Sequence, residues 1–265
     1  MAKLLPNFMF LGSMSNVSAY KRHDSDKIIL RTKGGPSKQK IKTSPDFEVV
    51  RKNNKEFGGR SAASSNLLMV LEYFHPVADY SIAGSLNSLL RHIQVLDTES
   101  EKGKRHVLVS RQPKLLQGFN LNKKFPFDSM LRNAVEWSMS KETLSAKVEF
   151  PALIPGTNFF LPDGHYPVYQ LVTVLAVIPD VFYGEVKYKP LPAFMHYTVA
   201  KLESTWFPVS AGSPVQQLEL QLPPMTETGS FSLMLAAGVR FGRFNATGGV
   251  DPAKYIGCAK IVGMA

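Results

Sequence analysis

Cysteine is all but absent. Cys258 is alone among 265 residues, so no intrachain disulfide can form and no cysteine-based metal site can assemble. It sits in "YIGCAKIVG", among small apolar residues, and reads as a small buried hydrophobe rather than a nucleophile. Lack of disulfides fits a reducing compartment. Long hydrophobic runs are missing as well. No stretch of 18 apolar residues occurs, so no spanning helix is expected. The longest candidate, "LVTVLAVI" (Leu171–Ile178), has the length of a buried strand. The start carries Lys3 and an apolar patch in the manner of a secretory leader, but Pro6 and Asn7 break the run. The cytoplasm is the expected compartment, with secretion as the alternative.

Spacings that carry chemistry are missing too. None of the six histidines (His23, His75, His92, His106, His165, His196) stands two or four residues from another, so no metal site and no cofactor is expected. No Gly-x-Ser-x-Gly elbow occurs, which removes the usual serine hydrolase. "RTKGGPSK" (Arg31–Lys38) has the glycine, lysine and serine of a phosphate loop without its spacing. Glu149, Asp163, Asp180 and Glu185 fall near candidate strand ends, and sequence alone cannot set two of them across a cleft. No catalytic residue is assigned, and the chain is expected not to be an enzyme.

What is present is basic charge, unevenly spread. The net charge is +10. Residues 1–60 hold 13 Lys/Arg against 5 Asp/Glu, a net of +8, whereas residues 133–265 hold 9 against 10. Residues 31–60 alone hold nine Lys/Arg against three acids, with four glycines and two prolines. Such asymmetry points to a partner for the N-terminal end.

Periodicity gives the elements. "NVSAYKR" and "KIILRTK" flank the turn formers of "HDSD" and predict a β-hairpin. "GGPSKQKIKTS" has no period and reads as a loop or extended arm. A helix is expected from Ser44 as N-cap and Pro45 at the first turn, stopped by Gly58-Gly59, with Phe47, Val50 and Phe57 on one face. "SAASSNLLMVLEYF" predicts a second helix, ended by His75-Pro76, and "YSIAGSLNSLLRHIQVLD" a third. "RHVLVS" and "LLQGFNLN" read as strands. After Leu131 the chain is strands separated by proline and glycine: "KVEFPALI", "YPVYQLVTVLAVI", apolar on both faces, "VQQLELQL", cleanly alternating, "FSLMLAAGVRFG" and "KYIGCAKIVG". The expected architecture is α+β: an N-terminal β-hairpin and basic arm (1–43), a helical region (44–100) and a mainly antiparallel β-sandwich (101–265).

Three roles fit this pattern. The first is a non-enzymatic structural or scaffolding protein, a homo-oligomer that self-associates through its basic arm. An arm poor in apolar groups is costly to order alone, at about 1–2 kcal/mol of backbone entropy per residue fixed, and a neighbouring copy can supply the missing contacts. The alternative is a non-specific nucleic-acid-binding protein. The anion- or partner-binding set is the same in both: Arg31, Lys33, Lys38, Lys40, Lys42, Arg51 and Lys52. Stacking aromatics are sparse in that segment, so the charge comes without a reader of bases. The third role is a ligand-binding sandwich using the loop "LPDGHYP", around Asp163 to Tyr166.

The segments "NVSAYKR…KIILRTKGGPS", "TSPDFEVVRKNNKEFGGRS", "SLLRHIQVLD" and "FSLMLAAGVRFG" together resemble a family of uncharacterised proteins common in Bacteroidota. The Arg-Thr-Lys-Gly-Gly-Pro-Ser turn and the Arg-x-Asn-Asn-x-Glu-Phe-Gly stretch carry the resemblance. It implies a bacterial origin and a shared fold. It implies no activity.

Overall fold

Three short strands come first in the computed structural model, which describes residues 10–21, 27–32, 34–162, 164, 166–190, 198–225 and 229–265. Strands β1 (Gly12–Met14), β2 (Val17–Lys21) and β3 (Ile28–Thr32) form an antiparallel sheet in the order β1-β2-β3, with Met14 opposite Val17 and Lys21 opposite Ile28. The hairpin expected from the alternation is therefore present, and β1 is an additional strand; the turn at His23–Asp26 lies outside the described residues. A short helix, α1 (Lys38–Thr43), follows where the sequence reads as a loop, and Ser37 starts it by accepting the Lys40 N–H through its hydroxyl at 3.1 Å. The chain separates into two compact units, Met1–Arg51 and Lys52–Ala265. In the first, Ala19 is the only buried residue among those described.

Helix α2 (Glu48–Val70) opens in the last turn of the first unit and runs through Gly58 and Gly59 without a break, so the two helices expected on either side of those glycines are one. A mid-helix glycine costs about 1 kcal/mol relative to alanine. Gly59 has a packing reason to be there: a Cβ at this position would lie 2.6 Å from the Tyr188 ring. The buried stripe runs through Glu56, Gly59, Ala63, Leu67 and Val70, at helical spacing. Val50 and Phe57 fall outside it and are exposed, and Phe47, expected on one face with them, is half-buried. A 3-10 turn over Leu71–Val77 and helix α3 (Ile82–Val95), with Leu86, Leu90 and Ile93 inward, complete the helical layer.

Two cores hold the second unit together. After a four-residue helix α4 (Phe127–Met130) come β4 (Glu136–Ser140), β5 (Ser145–Phe150), β6 (Val168–Pro179), β7 (Val181–Tyr183), β8 (Tyr188–Pro190), β9 (Val199–Glu203), β10 (Phe207–Pro208), β11 (Gln216–Gln221), β12 (Phe231–Phe244) and β13 (Val250–Met264). The central sheet runs β10-β6-β12-β13, with β9 also paired to β6, and every pairing is antiparallel. Every residue of β6 is buried, and alternation divides them. Val172, Val174, Ala176 and Ile178 meet Leu67, Leu71, Phe74 and Leu90 of the helical layer. Tyr169, Leu171, Leu175 and Val177 face Val148, Phe150, Leu218 and Leu220 of a three-stranded sheet, β11-β5-β4. The molecule is thus α+β: helices on one face of the central sheet, a second antiparallel sheet on the other.

Two segments expected as strands are not. Around "RHVLVS" only Val107 makes a bridge, to Val181, before a 3-10 turn over Val109–Arg111. The "LLQGFNLN" segment lies along β13 without regular pairing: Gly118 N–H donates to Ile261 O, Ile261 N–H to Phe119 O and Leu121 N–H to Ala259 O. It covers an edge that would otherwise stay open.

Candidate functional site

The basic residues singled out by the sequence do not form one patch. Arg31 is the penultimate residue of β3, is exposed, and lies with its guanidinium carbon 5.5 Å from the Tyr20 ring centroid. The two are diagonal neighbours across the β2–β3 ladder, close enough for this contact. Lys33 lies outside the described residues. Lys38, Lys40 and Lys42 are exposed on α1. Lys38 and Lys42, four residues apart, share a face, and Lys40 points away from it. The three have no ion-pair partner among the described residues.

Arg51 has a different task. Its Nη1 donates to the carbonyls of Ile41 and Ser44 at 2.8 and 2.7 Å. The Ile41 oxygen lies in the last turn of α1, where carbonyls lack intrahelical partners, and the Ser44 oxygen, which also accepts the Phe47 N–H, follows it, so Arg51 ties the helix end down. Lys52 opens the second unit, and its stem packs on Gly103, where a Cβ would sit 3.0 Å from the Lys52 Cγ. Of the described residues in the candidate set, Arg31 and the α1 lysines are the exposed cations of the first unit.

The other candidates are tied up or isolated. Glu149 accepts from Gln217 Nε2 at 2.6 Å on the outer side of the three-stranded sheet. Asp180 is buried and accepts both the N–H and the hydroxyl of Ser110, at 2.9 and 2.5 Å, which orders the 3-10 turn at Val109. Glu185 is exposed in the β7–β8 turn, and Asp163 lies outside the described residues. Among the described residues no group of three His, Cys, Asp or Glu side chains could hold a metal ion. His75 and His92 are exposed; His92 sits at the edge of α3, as the sequence suggests.

A polar network invisible in the sequence spans α2, α3, the 98–106 loop and the β7–β8 hairpin. Arg60 Nη1 donates to Gln94 Oε1 at 2.7 Å, and Gln94 Nε2 to the Arg105 carbonyl at 2.9 Å. Glu56, buried, accepts the Gly103 N–H at 2.8 Å and lies 3.7 Å from Arg105 Nε. Asp97 accepts from the N–H groups of His106, Glu99 and Ser100. Burial opposes its charge, but these donors outweigh burial and hold its carboxyl below the usual range. His106 Nδ1 accepts the Tyr183 N–H at 2.9 Å, which fixes the neutral ring's proton on Nε2. Burial, and then the Glu56 charge, push the Tyr188 phenol well above its ordinary value. Glu56, Arg60 and His106 join elements far apart in sequence, whereas Asp97 orders its own loop.

Among the described residues no helix is long and apolar enough to cross a membrane. Comparison with protein-family models, curated proteins and solved structures finds no match to this chain.

Proposed function

We propose that this protein is a non-enzymatic structural or scaffolding subunit that self-associates through its N-terminal unit. One observation carries the reading: among its described residues, that unit has almost no interior of its own. Its three-stranded sheet buries Ala19 alone, and no residue of α1 is buried. Leu11, Met14 and Val49 are 63, 54 and 55% exposed. Among the described residues, both outer strands of the sheet, β1 and β3, pair only with β2. A small sheet of this kind needs a packed face or further strands to be stable, and an unpaired edge accepts another chain. A second copy supplies both at once. The resemblance to a Bacteroidota family adds no activity to weigh against this reading.

Light scattering on the full chain tests it. The expected mass is a multiple of the 29.4 kDa protomer. Deleting residues 1–43, or replacing Leu11 and Met14 together by lysine in the full chain, lowers that mass. A protomer mass for the intact chain at tens of micromolar refutes the reading.

The unpaired lysines of α1 favour a second reading, non-specific contact with nucleic acid. It predicts binding of a labelled duplex that collapses between about 50 and 200 mM salt, as counterion release requires. No binding at low salt removes it.

A further inference from the structure

A cavity of about 270 Å³ opens beside α4 in the second unit, walled by Phe125, Pro126, Met130, Phe160, Leu161 and Pro162. Its two sides are fixed to each other by backbone. Phe160 N–H donates to the Met130 carbonyl at 2.8 Å, and Leu131 bridges Phe159. The α4 turn is anchored from below by Phe127 and Met130, both buried. The pocket is therefore preformed, as small-molecule sites generally are.

Cations stand on both rings of its wall. Lys124 Nζ is 5.5 Å from the Phe125 ring centroid, and the Arg132 guanidinium carbon is 4.7 Å from that of Phe160. Neither pairs with a carboxylate among the described residues. Two described acids close by in sequence are engaged elsewhere: Asp128 is bound by Lys260 Nζ at 2.8 Å through both oxygens, and Asp79 accepts the backbone N–H groups of Lys123 and Lys124. Phe160 is 51% exposed, an apolar ring held open beside a positive charge. The cavity is oily inside and positive at its rim. It is also smaller than the range of about 300–1,000 Å³ typical of drug-sized ligands.

We propose that this cavity binds a compact apolar group ended by a carboxylate. The apolar body lies between Phe125 and Phe160, and the carboxylate meets Lys124 and Arg132. A guanidinium offers a carboxylate two parallel donors, and both cations lose little on binding because the rings already hold them in place. The same chemistry is offered by a free short-chain carboxylate and by the hydrophobic C-terminal residue of a peptide. The proposal is independent of self-association.

Calorimetric titration of the full chain at pH 7 and low salt tests it. The probes are sodium hexanoate and hexanol for the free source, and N-acetyl-leucine and N-acetyl-leucinamide for the peptide source. At least one carboxylate is expected to bind ten-fold or more tightly than its neutral partner, and the tighter carboxylate names the source. Lys124→Gln with Arg132→Gln removes that margin. Ser129→Trp, from an exposed lining position on α4, fills the cavity and abolishes binding without changing the thermal melt. Failure of both carboxylates to bind, equal binding of the neutral probes, or unaltered affinity in both variants overturns the proposal.

Discussion

Gly238→Ala should destabilise this protein, although glycine-to-alanine in a strand interior ordinarily helps. Gly238 lies in β12, opposite Val172 of β6 and Ala259 of β13, on the face that meets the helical layer. At an unobstructed position alanine gains about 0.5–1 kcal/mol by restricting the unfolded chain. Here a Cβ would stand 2.6 Å from the Cys258 carbonyl oxygen and 2.8 Å from Cε1 of Phe74, itself fully buried in the 3-10 turn after α2. Neither neighbour is free to yield: one is ladder backbone and the other a packed ring. With three heavy atoms within 2.9 Å of the added carbon, the cost lies in the upper part of the usual overpacking range, about 2–3 kcal/mol, which exceeds the gain and leaves a net loss of about 1–2 kcal/mol. For a unit of this size that lowers Tm by about 2–8 °C. Gly84→Ala is the control: Gly84 is inside α3, exposed, with nothing within 4 Å of the added carbon, and should raise Tm by about 1–4 °C. Thermal melts followed by circular dichroism read both. Phe74→Leu creates a cavity and destabilises by itself, yet combined with Gly238→Ala it should cost less than the two singly, because the clash is partly relieved. If Gly238→Ala is as stable as the parent chain, Phe74 does not rest on β12 and the stacking of helices on this sheet face is wrong.

Two further outcomes concern single groups. The Asp97 carboxyl titrates below its unfolded value of about 3.9, so its hydrogen bonds contribute fully above that pH and are lost as pH falls through the lowered folded value. Asp97→Asn should cost stability in urea unfolding at pH 7, and the gap to the parent chain should narrow by pH 3; a gap of constant size counts against the three-donor cradle. Burial raises the Cys258 thiol far above its ordinary value, so dithiobis(nitrobenzoic acid) should label it at pH 8 only after denaturant is added. Prompt labelling of the folded chain would mean that β13 is not covered.

The strands were legible where burial is symmetric or strictly one-sided. "YPVYQLVTVLAVI" is largely apolar because β6 lies between two cores, and its buried polar residues, Gln170 and Thr173, donate to the Ser204 and Leu202 carbonyls. "VQQLELQL" alternates because β11 has one core face, with Leu218 and Leu220 buried, and one wet face, where Glu219 pairs with Lys147 at 3.1 Å. Glycine misled the reading at Gly58-Gly59. As a local signal it says "stop", and the contact that explains Gly59 comes from Tyr188, more than a hundred residues on. "RHVLVS" and "LLQGFNLN" carry strand-like composition because their apolar residues are buried, among them Val107, Val109, Leu116 and Leu121, but their amides are satisfied by Val181 O and by β13 in irregular pairs. Apolar content reports burial; only the partner decides whether the backbone becomes a ladder.

Charge in the candidate site was legible as a total and not as a set of roles. Arg51 and the α1 lysines are alike in sequence, a basic residue in a basic stretch. The difference between them is made by two carbonyl oxygens where a six-residue helix ends, that of Ile41 and that of Ser44, which also accepts the Phe47 N–H. Arg51 meets them because its planar fork can donate to both, which lysine's point charge does less well. The same logic hides the pocket at α4. Lys124 and Arg132 look like solvated surface charge until Phe125 and Phe160 are seen beneath them, and those rings come together only because Met130 and Phe160 share a backbone bond. In both places a cation is recruited by what lies under it, an orphan carbonyl or an aromatic face. Among the described residues, the α1 lysines have no such group under them and stay exposed.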